Sequence, residues 1–191
     1  MPPRFLAFSG SARRESLNRK LLAVLVDAVQ SLKAEVTVAD LNTYELPLYH
    51  GDLEDASGLP SGAVRLIEEI QQHDGLLIAS PEYNSMMTPL LKNTIDWCTR
   101  GDDNPFVGKI VAVVSASPGQ LGGIRSFTLT RQLLLHLGAR IVPEQCILPA
   151  ADEAFDANGR LLKERTQKSV EKLARATVKL ARQLGGAAAS S

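Results

Sequence analysis

The sequence is poor in cysteine, carries no net charge and contains no long hydrophobic run. Its 191 residues include two cysteines, and 21 Lys and Arg residues balance 21 Asp and Glu residues. Two cysteines exclude a disulfide scaffold. A neutral chain lacks the global positive field that gathers nucleic acid or anionic membranes. No apolar segment approaches the roughly 20 residues of a membrane span, and Phe5–Phe8 is shorter than a signal-peptide core. We therefore expect a cytoplasmic protein that binds neither nucleic acid nor a membrane.

What the sequence does contain is an alternation of short apolar runs with longer helical patterns. Hydrophobic residues make up 45% of the chain, which excludes disorder, and the length suits roughly one domain. The apolar runs predict buried strands at 5–8, 35–40, 75–80, 109–115 and 139–142, the last resuming at 146–148. Helical spacing of apolar residues predicts helices at 17–32, 60–73, 88–99, 123–138 and 160–184.

Five strands alternating with helices predict an α/β fold, with a parallel sheet covered by helices on both faces. Because there are only about five strands, we predict a flavodoxin-like three-layer sandwich with strand order 2-1-3-4-5. Residues 41–59 show no clean periodicity and predict a long loop. We expect a single flavodoxin-like domain over 1–184, followed by a flexible tail at 185–191.

Ligands of such sheets bind at the carboxyl ends of the strands, which directs attention to the loops after strands one, three and four. The first loop runs from a strand into a helix, so backbone N–H groups at the helix start make an anion site. Its candidate ligand residues are Ser11, Arg13, Ser16, Leu17 and Asn18. The alternative is that Ser and Asn are ordinary helix caps and that the arginine is a surface residue.

Neither common nucleotide motif occurs at this turn. A dinucleotide fingerprint needs G-x-G-x-x-G, whereas only Gly10 is present, and the pattern G-x-x-x-x-G-K-[ST] is also missing. Asp40, at the end of strand two, stands where a ribose-binding acid would lie, but without the glycines we interpret it as a cap or turn residue. A mononucleotide phosphate held without Mg²⁺ is the better prediction.

The second and third loops carry groups that suit a flat ring. The second offers Pro81, Glu82, Tyr83 and Asn84, where the tyrosine could stack on a ring or merely pack in a rigid turn. The third is rich in glycine, which permits close backbone approach to a flat ligand or simply makes a flexible connector. Its candidates are Ser117, Gly119, Gly122 and Gly123. Together the three loops predict a site for flavin mononucleotide (FMN).

Three motifs carry a resemblance to a known family: GSARRESLN at 10–18, PEYNSMMTPLLKNTIDW at 81–97 and SPGQLGG at 117–123. The chain resembles the NADPH-dependent FMN reductases, a family that includes chromate, quinone and azo-dye reductases. The resemblance spans roughly residues 4 to 150. It implies non-covalent FMN, NADPH or NADH as co-substrate, and a homo-oligomer, either dimer or tetramer.

The same resemblance implies roles for the loop residues. The phosphate would lie on the first loop, the ribityl chain and ring on the second, and the pyrimidine side of the ring near the third. The activity implied is ping-pong transfer from NAD(P)H through FMN to a small acceptor such as a quinone, chromate, an azo compound or free flavin. No catalytic side chain and no metal are expected, because the chemistry occurs on the flavin. The alternatives are a non-enzymatic flavodoxin-type electron carrier and an FMN-binding regulatory protein.

Three further features have two interpretations or remain open. Trp97 lies on a helix that resembles a subunit-interface helix, but it could equally belong to the core. The segment 160–184 holds eight Lys and Arg residues and two Glu, which indicates a solvated face or an attraction for anionic partners. Ser85–Met87 departs from the small residues usual in the family. These side chains could line the substrate face, so the sequence does not identify the substrate.

Overall fold

The computed structural model describes residues 1–188, which form eight strands and six α-helices. The strands are β1 (Arg4–Ser9), β2 (Glu35–Ala39), β3 (Gly75–Ala79), β4 (Glu82–Tyr83), β5 (Met86–Met87), β6 (Ile110–Ala116), β7 (Arg140–Ile141) and β8 (Cys146–Leu148). The helices are α1 (Leu17–Gln30), α2 (Gly51–Ser57), α3 (Ser61–Gln72), α4 (Pro89–Cys98), α5 (Ile124–His136) and α6 (Glu164–Ala188). Two short 3-10 turns lie at Leu41–Tyr44 and Ala151–Glu153.

The main sheet is parallel and has the order β2-β1-β3-β6-β7, with β8 also paired to β6. The two short strands β7 and β8 share the fifth position, as predicted for a strand interrupted near Pro143. The predicted order 2-1-3-4-5 and the flavodoxin-like sandwich are therefore confirmed. This order brings the ends of β1, β3 and β6 side by side at one edge.

The core has one layer on each face of the sheet. Phe5 and Ala7 of β1 point towards α1 and α6, whereas Leu6 and Phe8 point towards α3, α4 and α5. All four side chains are buried, which explains why this strand appears in the sequence as a continuous apolar run. Among the described residues, no helix is both long enough and apolar enough to cross a membrane.

Three local predictions differ from the structure. The loop predicted at 41–59 contains a 3-10 turn and the helix α2, which buries none of its residues and so leaves no apolar period to detect. The second site loop folds into the β4–β5 hairpin. The last helix, predicted at 160–184, runs from Glu164 to Ala188. It therefore includes the first four residues of the predicted tail, and residues 189–191 lie outside the described part.

Trp97 belongs to the core of this chain. Its side chain is fully buried, and its indole Nε1 donates a hydrogen bond of 2.7 Å to the carbonyl oxygen of Pro47. The ring of Tyr49 packs edge-on against it at 5.1 Å. These contacts attach α4 to the segment before α2, so the tryptophan has a structural role within one subunit.

Both cysteines are buried and free. Burial raises the pKa of each thiol, Cys98 and Cys146, to about 12. A thiol with so high a pKa is protonated at neutral pH and is a poor nucleophile.

Gly62 provides a test of the packing between α3 and the preceding 3-10 turn. A Cβ atom at Gly62 would collide with the backbone carbonyl of Tyr44, whereas one at Gly51 would meet nothing within 4 Å. We expect Gly62→Ala to lower the free energy of unfolding by about 1–3 kcal/mol. The control Gly51→Ala should leave it unchanged or raise it by up to about 1 kcal/mol. Urea unfolding measures both, and equal stabilities would contradict the packing shown here.

Candidate functional site

The loops after β1, β3 and β6 meet around a groove of about 90 Å³ at the carboxyl edge of the sheet. Nine of the thirteen predicted site residues line it: Ser11, Arg13, Ser16, Leu17, Asn18, Pro81, Glu82, Tyr83 and Ser117. Ala116 and Pro118 complete the lining. The other four predicted residues, Asn84, Gly119, Gly122 and Gly123, lie on the same loops outside the lining. The structure thus brings three distant segments together where the topology predicted.

The first loop presents hydroxyl groups whose protons are free. Ser16 caps α1 by accepting the backbone N–H of Arg19 at 3.3 Å, and Ser11 accepts the backbone N–H of Arg13 at 3.3 Å. Each hydroxyl still has its own proton to donate. Within residues 1–188, no carboxylate pairs with the guanidinium group of Arg13. These donors are therefore available to an anion.

Asn18 is engaged with the protein itself. Its Nδ2 donates to the carbonyl oxygen of Ala116 at 2.7 Å, and its Oδ1 accepts the N–H of Ala116 at 3.0 Å. Both groups are buried, and the two residues are 98 positions apart in sequence. This side chain, which is predicted to hold phosphate, also ties the start of α1 to the end of β6.

The second loop is a tight hairpin with an accessible aromatic face. Asn84 and Ser85 have φ angles of 50° and 67° at its turn, a left-handed conformation that asparagine tolerates better than most residues. Tyr83 is 48% exposed and Met86 is 54% exposed. Both side chains therefore remain open to a ligand.

Glu82 anchors this hairpin to α5. Its carboxylate accepts the backbone N–H groups of Arg125 and Ser126 at 2.9 and 3.1 Å, and one oxygen lies 3.4 Å from the guanidinium group of Arg125. A carboxylate at a helix N-terminus satisfies free N–H donors and opposes the positive end of the dipole. Its predicted contact with the flavin is therefore accompanied by a clear structural function.

A chain of buried hydroxyls below the hairpin was missed by sequence reasoning. Ser126 donates to the carbonyl of Pro81 at 2.8 Å, so its oxygen must accept the proton of Ser80 at 2.6 Å. Ser80 in turn accepts from Thr130 at 2.7 Å, because each hydroxyl has one proton. The pair Ser126 and Thr130, four residues apart on the buried face of α5, was the available signal in the sequence.

The glycines of the third loop are required mainly by the protein itself. Gly122 and Gly123 have φ angles of 60° and 84°. A Cβ atom would meet the backbone around Pro149 at the first position and the hydroxyl of Ser115 at the second. Gly119 has an open surface, and its N–H donates to Ser117 at 3.1 Å. Close approach to a flat ligand is therefore an interpretation that suits Gly119 better than the other two.

A flavodoxin-like sandwich with free donors at one helix start, beside an open aromatic hairpin, defines a mononucleotide-binding α/β protein. The donor set fits a terminal phosphate, because hydroxyls, a guanidinium group and helix N–H groups all favour an anion.

The chain belongs to the NADPH-dependent FMN reductase family, whose model matches residues 3–153. It is 35% identical over 182 residues to an NAD(P)H-dependent FMN reductase of Pseudomonas aeruginosa, covering 95% of this chain and 96% of that protein. It is 36% identical over 136 residues to a quinone reductase of Escherichia coli, covering 70% of each. The chain is accordingly an NAD(P)H-dependent FMN oxidoreductase.

A solved structure agrees with this assignment. FerB, a flavoenzyme NAD(P)H:acceptor oxidoreductase from Paracoccus denitrificans, superposes with a TM-score of 0.81 at 32% identity. The match covers 95% of this chain and 98% of that one. The similarity therefore includes the last helix, which lies beyond the residues of the family model.

The bridge between Asn18 and Ala116 predicts a stability change that needs no flavin. Asn18→Ala leaves a buried N–H and a buried carbonyl without partners, so we expect a loss of about 2–3 kcal/mol in the free energy of unfolding of the FMN-free protein. Asn158→Ala is the control, because Asn158 is exposed. Equal denaturation midpoints for the two variants would show that the bridge contributes nothing.

Proposed function

We propose that the groove holds the phosphate of non-covalently bound FMN on the hydroxyls of Ser11 and Ser16, the guanidinium of Arg13 and the N–H groups at the start of α1, beginning at Leu17. The observation that carries this proposal is the set of free donors at that helix start. Asn18 positions this loop through Ala116. It thereby keeps the donors convergent, and the second proton of its Nδ2, which that bridge does not use, would donate to the phosphate.

The ring of FMN would lie between the hairpin and the third loop. Tyr83 offers an exposed face for stacking, and Pro81 and Asn84 flank the ribityl side. Ser117 and the backbone of Gly119 would meet the pyrimidine edge, while Gly122 and Gly123 shape the turn that presents them. When bound, FMN accepts hydride from NAD(P)H and passes the electrons to a second substrate. Glu82, held by the start of α5, fixes the hairpin beside the ring.

The second substrate is a small electron acceptor such as a quinone, chromate, an azo compound or free flavin. The open hairpin supports this proposal, since Tyr83 and Met86 leave an exposed, largely apolar entrance next to the groove. A donor and an acceptor that use one entrance in turn require ping-pong kinetics. We further propose that the protein acts in the cytoplasm as a homo-oligomer, dimer or tetramer, for which the exposed Leu48 offers apolar contact surface.

An anaerobic absorbance experiment tests the function. The FMN-loaded protein should lose its flavin bands on addition of NADPH or NADH and recover them on addition of a quinone. Bands that persist with both donors would instead indicate an electron carrier reduced by another protein. A protein that takes up no FMN would contradict the proposed site and favour a regulatory role.

The phosphate assignment predicts the effect of one substitution. Arg13→Ala should weaken FMN binding by about 1.5–3 kcal/mol, the scale of a charged hydrogen bond, or roughly ten- to hundredfold in Kd. Titration of flavin fluorescence measures it. Arg14→Ala is the matched control, because Arg14 is exposed and does not line the groove. Equal affinities for the two variants would refute the role of Arg13.

A further inference from the structure

A second cleft lies on the opposite side of the first loop, between α1 and the edge strand β2. Its volume is about 270 Å³, slightly below the usual range for drug-sized ligands. Leu22 and Val26 of α1 form one wall, and Val38 of β2 forms the other. Val38 is 64% exposed, so the cleft presents apolar surface at this edge of the sheet.

Asp40 stands at the mouth of the cleft as a rigid acceptor. Its Oδ1 accepts hydrogen bonds from Arg19 at 2.7 Å and from the backbone and side chain of Asn42 at 3.1 and 2.8 Å. Burial alone would raise the pKa of Asp40, but the Asn42 and Arg19 hydrogen bonds hold it below its usual value. Its Oδ2 has no hydrogen-bond partner within residues 1–188. The carboxylate is therefore ionised and oriented, with one oxygen free.

Ser9 contributes the floor of the cleft at the end of β1. The residue is 6% exposed, and its hydroxyl has no hydrogen-bond partner in the described part of the chain. A buried hydroxyl without a partner is costly and is rare in folded proteins. The cleft thus combines apolar walls with two oxygen atoms that lack partners in the described residues, Oγ of Ser9 at the floor and Oδ2 of Asp40 at the mouth.

The cleft and the phosphate groove have no lining residue in common, but one hydrogen bond connects their linings. Arg19 lines the cleft and donates from its Nε to the carbonyl oxygen of Ser11 at 3.2 Å, and Ser11 lines the groove. A ligand that reached over the first loop would therefore touch both sites. A dinucleotide has this extended shape, with two polar halves joined by phosphates.

We propose that this cleft binds the adenosine half of the NAD(P)H donor, with the base against Val38 and Leu22 and the ribose hydroxyls on Asp40. The inference rests on the proposed reductase function and adds a second anchoring point for its donor. An acid at the end of the second strand accepts ribose hydroxyls in other dinucleotide-binding sheets. A quinone would not suit this cleft, since its carbonyl oxygens only accept hydrogen bonds and would face an ionised carboxylate.

The test compares NADH with reduced nicotinamide mononucleotide, which lacks adenosine, as donors to the FMN-loaded protein. Val38→Phe fills the cleft from an exposed position where a strand tolerates an aromatic residue. We expect it to lower kcat/KM for NADH about tenfold relative to kcat/KM for the mononucleotide. Asp40→Asn should shift the same ratio in the same direction. Val107→Phe is the matched control, because Val107 is also 64% exposed and lies outside the cleft, so it should leave the ratio unchanged.

A binding measurement tests the cleft independently of catalytic turnover. AMP should bind the FMN-loaded wild-type protein, detected by saturation-transfer NMR, and Val38→Phe should abolish that signal while Val107→Phe retains it. An unchanged donor ratio in Val38→Phe, or undiminished AMP binding, would overturn the proposal. If neither donor bleaches the flavin of the wild-type protein, the reductase function fails, and AMP binding alone then decides whether the cleft takes adenosine.

Discussion

The paired hydrogen bonds between Asn18 and Ala116 are the interaction on which the candidate site depends. They connect the first turn of α1 to the last residue of β6, two segments that the chain separates by 98 residues. Both partners are buried, so breaking the pair would leave polar groups without water or protein partners. Because the first loop ends at α1 and the third loop begins at the end of β6, one side chain fixes the distance between the anion donors and the glycine-rich loop.

The middle loop is held by a separate set of contacts from α5. The carboxylate of Glu82 accepts two N–H groups at the start of that helix, and Ser126 donates to the carbonyl of Pro81. All three loops are therefore held in place by hydrogen bonds within the protein. A site on rigid elements with satisfied supporting hydrogen bonds loses little entropy on binding, which suits a cofactor that must be retained through many turnovers.

Family membership and the geometry agree on the type of ligand, and the geometry gives several predicted site residues a structural role as well. Sequence motifs selected Asn18, Glu82, Gly122 and Gly123 as ligand contacts, and the structure shows that each is also required by packing or hydrogen bonds within the protein. A motif does not distinguish a residue that binds the ligand from one that holds the loop in place, because both kinds of residue occur in the same short segments. The cleft beside β2 shows the same limit, since Asp40 looked like a turn residue in sequence and also offers a free carboxylate oxygen.

The sequence by itself determined the α/β class, the strand order, the location of the three loops and the family. Apolar runs, helical periods and loop composition are local properties, and parallel crossovers leave few topologies. Only the tertiary structure decided which donors remain free, that Trp97 belongs to the core of the chain, and that α2 and the β4–β5 hairpin exist. The hairpin and α2 are local, but none of their residues is fully buried, so they show no apolar period. The position of Trp97 depends on a contact between residues tens of positions apart, the bond from Trp97 to Pro47. Long-range contacts of this kind produce no periodic pattern in the sequence, because they depend on how the elements pack in three dimensions.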